Sequence, residues 1–189
     1  MVLISPVWLG IAFGASEVLV SLSRRAKGDT AKKDAGSLAL FWIVIPIAMF
    51  LAYGAAVSLH RPAWQLPWQP ELGLAGDIMV ITGLIFRWHA ILYLGRWFTV
   101  NVAIAADQPL IDGGPYRFLR HPSYTGALMA LIGLGLAIGN TVSLAVIVVL
   151  TVPVFLHRIR LEERVLAEAF GARWQAYRAR TWRLVPGLY

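Results

Sequence analysis

The residues with chemistry in them gather in two places. Asp112 to Gly126, DGGPYRFLRHPSYTG, packs a double glycine, two prolines, two tyrosines, two arginines and a histidine against the start of an apolar run. From Arg158 to Arg180 there is one glycine, Gly171, and no proline. Ile159, Leu166, Phe170 and Tyr177 recur there at helical spacing, so a helix is expected over 158–180. Glu163 falls on that apolar stripe, roughly 40° from Ile159, and Glu162 flanks it at roughly 60°, at 100° per residue. Glu168 points the opposite way. Arg158, four residues before Glu162, could hold it, but an exposed helical ion pair contributes only about 0.3–0.5 kcal/mol. Two acids on an apolar face therefore read as ligand-facing, with a structural ion pair as the alternative. Cationic and N–H donors, carboxylates, aromatic faces and a backbone open to close approach suit a charged, polar cofactor. Loop and tail are expected to build one site.

The elements that position this site are membrane helices. The chain has 189 residues, 58% hydrophobic and 14% charged, with eight tryptophans and a mean hydropathy of +0.66; a soluble chain carries roughly 25% charged residues. One domain spanning 1–189 is expected. Apolar runs at 7–22, 38–59, 72–94, 123–139 and 141–157 predict five transmembrane helices, the last two a tight hairpin about Asn140, in an all-α fold. Residues 158–180 then form a separate interfacial helix, closing a cytoplasmic cofactor pocket with the loop. Fifteen of the seventeen Lys and Arg fall on one side of this arrangement. They are Arg24, Arg25, Lys27, Lys32 and Lys33 after the first run, Arg96, Arg117 and Arg120 before the fourth, and seven beyond the fifth. Arg61 lies opposite and Arg87 inside a span. That bias puts loop and tail in the cytoplasm and the N-terminus outside. The net charge of +7 is thus topological; nucleic-acid binding, which needs a basic soluble face, is not expected. Cysteine is absent, which removes a disulfide framework, a thiolate nucleophile and a cysteine metal site, and no metal is expected.

Glu17, Asp77, Arg87 and His89 fall within spans, where ionisable groups face a bundle interior and need partners. Glu17 lies at a depth that suits pairing with Arg87 or His89, either to join two helices or to form a polar wall of a substrate cavity. Asp77 is expected to be solvated at the outer end. Gly126, Gly133, Gly135 and Gly139 suit close helix packing.

RHPSYTG at Arg120 to Gly126, preceded by GGPYR and followed by RIRLEERVLAEAFGARWQAY from Arg158, resembles the membrane-embedded isoprenylcysteine carboxyl methyltransferase family and its phospholipid methyltransferase relatives. LGRWFT, Leu94 to Thr99, is similar to the same family. The resemblance covers roughly the C-terminal half. It implies S-adenosylmethionine as methyl donor, held by Gln108, Leu110, Gly114, Tyr116, Arg120, His121, Pro122, Tyr124 and Glu163. Within that set Arg120 and His121 face the cofactor carboxylate, and Glu162 or Glu163 accepts from its ammonium or ribose. Arg158 and Glu162 are the implied catalytic pair, with Trp97, Asn101 and Arg173 toward the acceptor. Taken singly these residues have plainer readings: His121 a helix cap, Tyr124 an interfacial anchor, Arg120 a topological charge. Two positions depart from the family pattern, Gln108 where a histidine is common and Trp174 in place of a tyrosine.

The implied reaction is methyl transfer to a lipophilic acceptor, most simply the carboxylate of a prenylcysteine-like small molecule or prenylated substrate, in contact with membrane lipids. The expected location is a bacterial-type inner membrane. The alternatives are a phospholipid N-methyltransferase, an NADPH-dependent membrane reductase and a non-enzymatic membrane subunit. Oligomeric state is not legible.

Overall fold

The computed structural model describes residues 4–23, 36–101, 104 and 107–189. The basic cluster Arg24, Arg25, Lys27, Lys32 and Lys33 lies outside the described residues. Among the described residues six α-helices run α1 Pro6–Ser23, α2 Ser37–Ser58, α3 Glu71–Leu94, α4 Pro122–Ile138, α5 Thr141–Phe170 and α6 Ala172–Ala179. Among the described residues there is no strand, only two isolated bridges, Gln65 to Asn140 and Leu119 to Trp182. Each of the five apolar runs is helical, with bounds shifted from the sequence reading. Helices α1, α2, α3 and α5 are long and apolar enough to cross a membrane; α4, at 17 residues, is shorter. At 1.5 Å per residue α4 is about 25 Å long, under the roughly 30 Å of a hydrocarbon core. It is also the best covered helix, with eleven residues buried between its neighbours.

Close packing of α3 on α4 follows from four glycines. A Cβ on Gly83 would sit 2.7 Å from Gly126 O and Ala130 N, and one on Gly126 would sit 2.6 Å from Gly83 O and Arg87 N. Gly76 faces Gly133 in the same way, so two glycines seven residues apart on each helix let antiparallel backbones touch. Gly135 packs on Leu144 of α5, whereas Gly139 is the left-handed cap of α4, at φ 77°. Asn140 makes the hairpin. Its Oδ1 accepts from the N–H groups of Val142 and Ser143 at 3.0 and 3.1 Å, and its Nδ2 donates to Leu59 O at 2.9 Å. Such a cap is worth about 1 kcal/mol.

Two expectations are corrected. The fifth span and the tail are not a 141–157 helix followed by a 158–180 helix. α5 is continuous for 30 residues, through Pro153 and past Arg158, and ends where Gly171 takes φ 52°; only then does the short α6 turn away. Nothing between His157 and Phe170 interrupts the backbone hydrogen bonds, so the membrane helix simply extends as a stalk. Asp77 is not solvated: it is 1% exposed and accepts from the Ile4 N–H at 3.3 Å. Glu17 and Arg87 do pair, through two contacts of 2.7 Å, while His89 is exposed on the outer face of α3.

Candidate active site

At the end of the bundle where α3 finishes and α4 begins, the loop is shaped by its glycines and prolines. Gly114 takes φ 54°, and a Cβ there would overlap the Tyr93 ring, while one on Gly113 would meet the Tyr93 hydroxyl. Pro115 follows in a single 3-10 turn over Gly114–Arg117 that buries Tyr116, whose hydroxyl donates to Ala90 O at 3.3 Å. Burial pushes that hydroxyl well above its ordinary pKa, and the charge of Glu162 adds to the effect. Pro122 then occupies the first turn of α4, where a missing N–H costs nothing.

The C-terminal residues clasp this loop. Arg120 N–H donates to Trp182 O at 2.7 Å, His121 N–H to Arg183 O at 3.1 Å, and Trp182 N–H returns to Phe118 O at 3.0 Å. Glu163 ties the three segments together. Its carboxylate receives Arg120 Nε at 2.9 Å and Arg183 Nε and Nη2 at 2.9–3.2 Å, with His121 Nε2 at 3.5 Å. Hydrogen bonding to Glu163 raises the pKa of Arg183 in turn. Arg120 further donates through Nη1 to the carbonyls of Arg178 and Thr181. Tyr177, on α6, donates to Tyr116 O at 2.8 Å, and burial raises its pKa too, so both hydroxyls stay protonated.

A cleft enclosing about 840 Å³, its open mouth included, lies between this clasped loop, the α5 stalk, α6 and the segment after α3. Of the residues expected at a site, Trp97, Asn101, Gln108, Leu110, Tyr116, Arg120, His121, Tyr124, Arg158 and Glu162 line it. Gly114, Pro122, Glu163 and Arg173 do not: the first two shape the loop, Glu163 sits behind the wall as the clasp, and Arg173 is exposed on α6. The replacement residue Trp174 is 2% exposed, lines the cleft and packs at 5.6 Å on Tyr177.

At the cleft's inner end three side chains form one chain of hydrogen bonds. The Tyr124 hydroxyl donates to Glu162 Oε2 at 2.8 Å and accepts from Arg158 Nε at 3.0 Å. Arg158, 4% exposed, also donates from Nη1 to Ser37 Oγ at 2.7 Å and from Nη2 to Val100 O. The His121 ring stacks on Tyr124 at 5.5 Å and 13°. This is a fixed cation and a fixed anion bridged by a phenol.

A second cavity meets the first at this point. About 1270 Å³ in size, it runs between α1 and α2 and is largely apolar, walled by residues such as Phe13, Phe41, Trp42 and Met49. Phe98, Thr99, Tyr124 and Arg158 line both cavities. Sequence reasoning missed Phe98 and Thr99 as lining residues, although LGRWFT contains them. It also missed Ser37, Arg183 and the whole C-terminal clasp, whose non-helical TWRLV segment carries no periodic signal.

The model of the isoprenylcysteine carboxyl methyltransferase family matches residues 76–168. Protein-S-isoprenylcysteine O-methyltransferase B of Arabidopsis thaliana is 34% identical over 138 residues, covering 72% of this chain and 68% of the relative. The A protein of the same plant is 37% identical over 129 residues, covering 67% and 64%. The Saccharomyces cerevisiae protein-S-isoprenylcysteine O-methyltransferase is 34% identical over 105 residues, which is 54% of this chain and 44% of that relative. The matches thus span about two thirds of the plant relatives and less than half of the yeast one. The fold is that of the solved eukaryotic intramembrane Ras methyltransferase, with a TM-score of 0.62 at 20% identity over all of this chain and 70% of that one.

Proposed function

The chain belongs to the isoprenylcysteine carboxyl methyltransferase family, and from that premise we propose that it transfers a methyl group from S-adenosylmethionine to the carboxylate of a lipophilic, prenylcysteine-like acceptor. The observation that carries the reading is the shared wall: a polar cleft and an apolar cavity meet at Tyr124 and Arg158. A water-soluble donor and a membrane-borne acceptor have to meet across such a wall.

The residues of the cleft fit the donor. Glu162, whose side chain is 33% exposed there, suits its ammonium or ribose hydroxyls, and Trp97, Tyr116 and Trp174 offer aromatic walls to a sulfonium and a purine. Bound S-adenosylmethionine would supply a methyl group on a sulfonium, open to in-line attack by an oxygen nucleophile. A carboxylate is already such a nucleophile, so no general base and no covalent intermediate are required of the protein. Positioning and exclusion of water are what its residues contribute. Arg158 pairs with the acceptor carboxylate at the shared wall. Tyr124, held between Arg158 and Glu162, keeps the two charged groups in fixed relation. Clasped by Glu163 and Arg183, the loop supports His121 and Tyr124 from behind. The acceptor's lipid chain enters between α1 and α2.

The same reading places loop and tail at the cytoplasmic face of a bacterial-type inner membrane, supported by the fifteen Lys and Arg on that side. Calorimetric titration tests the cofactor assignment. S-adenosylhomocysteine is expected to bind and NADPH to give no heat; binding of NADPH alone, or of neither, overturns it.

A further inference from the structure

Residues 182–189 clasp the RHPSY loop along one edge and leave the opposite edge bare. Leu184 fixes their depth: it is buried in the core, and its carbonyl accepts from Thr125 Oγ1 at 2.8 Å, one turn into α4. The register of α3 against α4 says where that turn lies. With Gly76 on Gly133 and Gly83 on Gly126, the start of α4 is level with Arg87, whose Nη1 donates to Ser123 O at 3.0 Å. From there α3 runs on to Leu94, about two further turns or roughly 10 Å. The segment beside Thr125 therefore sits below the end of a helix long and apolar enough to cross a membrane, not above the bilayer.

Backbone outside a helix is tolerated at such depth only where its polar groups are bonded within the protein. Here Trp182 N–H donates to Phe118 O at 3.0 Å, Leu184 and Val185 N–H to Tyr189 O at 2.9 and 3.0 Å, and Leu188 and Tyr189 N–H to Val185 O at 3.2 and 3.1 Å. The side chains left outside are apolar: Leu188 is 80% exposed and Phe118 62%, with Trp182, Val185 and Tyr189 also exposed. Cations accompany them. Arg117 lies 5.8 Å over the Phe118 ring, Arg183 5.0 Å over Tyr189, and Arg178 is exposed at the end of α6. Aromatic and aliphatic side chains beside arginines suit a membrane interface, and a phospholipid leaflet offers both the apolar layer and the phosphates. We propose that residues 182–189 are seated in the phospholipid leaflet on the cleft side, with Val185 and Leu188 in its apolar layer and Arg117 and Arg178 at its phosphates, and that this seating holds the RHPSY loop in place. The link is direct. Arg120 and His121 donate their backbone N–H groups to Trp182 O and Arg183 O, so a segment lifted from the leaflet takes with it the two carbonyls that fix the loop. Seating depends on the fold alone, while its effect on the donor rests on the proposed methylation.

The chain has no cysteine, so a nitroxide can be attached at one chosen position. On Leu188→Cys in phosphatidylcholine–phosphatidylglycerol vesicles the label is expected to be reached by dissolved oxygen and shielded from an aqueous nickel chelate. A label on Gln175→Cys, exposed on α6, should show the reverse. Nickel access at Leu188 equal to that at Gln175 puts the segment in water, and spin–spin broadening between labels puts a second copy over it; either overturns the seating. Leu188→Glu tests the coupling, since so exposed a side chain can change without disturbing the core. It should raise the Kd for S-adenosylhomocysteine about 10-fold and speed hydrogen exchange at the Arg120 and His121 amides by a similar factor, the scale set by unseating one leucine. Leu188→Met should leave both unchanged. Exchange in Leu188→Glu equal to that of the unmodified protein overturns the coupling. Failure of S-adenosylhomocysteine to bind the unmodified protein overturns the donor assignment instead, and the label and exchange measurements still decide the seating.

Discussion

The Tyr124 hydroxyl is the smallest unit on which the account depends. It joins a cation on α5 to a carboxylate one turn further along the same helix, and its ring fills the place where the two cavities touch. Tyr124→Phe keeps the ring stacked on His121 and removes only the bridge. It should lower kcat by about 10–100-fold, the size of effect that follows from a small misplacement of reacting groups. KM for the cofactor should move much less, and steady-state kinetics separates the two; an unchanged kcat would remove the bridge from the mechanism. At this scale the sequence was informative about residue types. Ten of the residues it singled out do line the cleft, with Arg120, His121, Tyr124 and Glu162 among them coming from RHPSY and the EE pair. It was uninformative about which acid does what. Periodicity put Glu163 nearer the apolar stripe, and the structure uses that inward direction for the clasp, leaving the flanking Glu162 to face the cleft. Helical phase gives the direction of a side chain; what waits there is decided by the C-terminal segment, which has no phase to read.

Between elements, the site depends on how closely α3 and α4 approach. Arg87, Ser123 and Tyr124 are placed by the crossing of Gly83 and Gly126, where backbone meets backbone. Gly126→Ala would put a methyl group 2.6 Å from main-chain atoms that have nowhere to move. It should destabilise the protein by about 1–3 kcal/mol and separate Arg87 from Ser123, lowering methyl transfer along with the unfolding temperature. Thermal unfolding in detergent and activity on the same sample check both; a variant with ordinary stability would show that the helices are not in such contact. The glycines of α4 were legible as packing residues, but Gly76 and Gly83 were not singled out, since only the pairing across helices gives them their spacing. The break at Gly171 was misjudged because polarity suggested an interfacial helix starting near Arg158. The backbone has no reason to stop there, and the lone glycine proved the better signal.

For the molecule as a whole, the apolar runs and the basic residues between them made a helical membrane bundle legible from the start, because length and hydropathy act locally. The apolar cavity between α1 and α2 was not legible, since both helices are largely apolar and only their spacing leaves room. Orientation has a direct test, helped by the absence of cysteine. A cysteine at Arg178 should react with a membrane-impermeant maleimide only in inside-out vesicles, and one at Trp64 only in right-side-out vesicles. The opposite pattern would invert the topology. The central claim is tested by the product. The purified protein, given methyl-labelled S-adenosylmethionine and an S-farnesylated cysteine derivative, is expected to yield a base-labile methyl ester identified by mass, and Arg158→Lys should reduce its rate by at least about 100-fold. Label on nitrogen or sulfur instead of the carboxylate, or ester formation that ignores the Arg158 substitution, would contradict it.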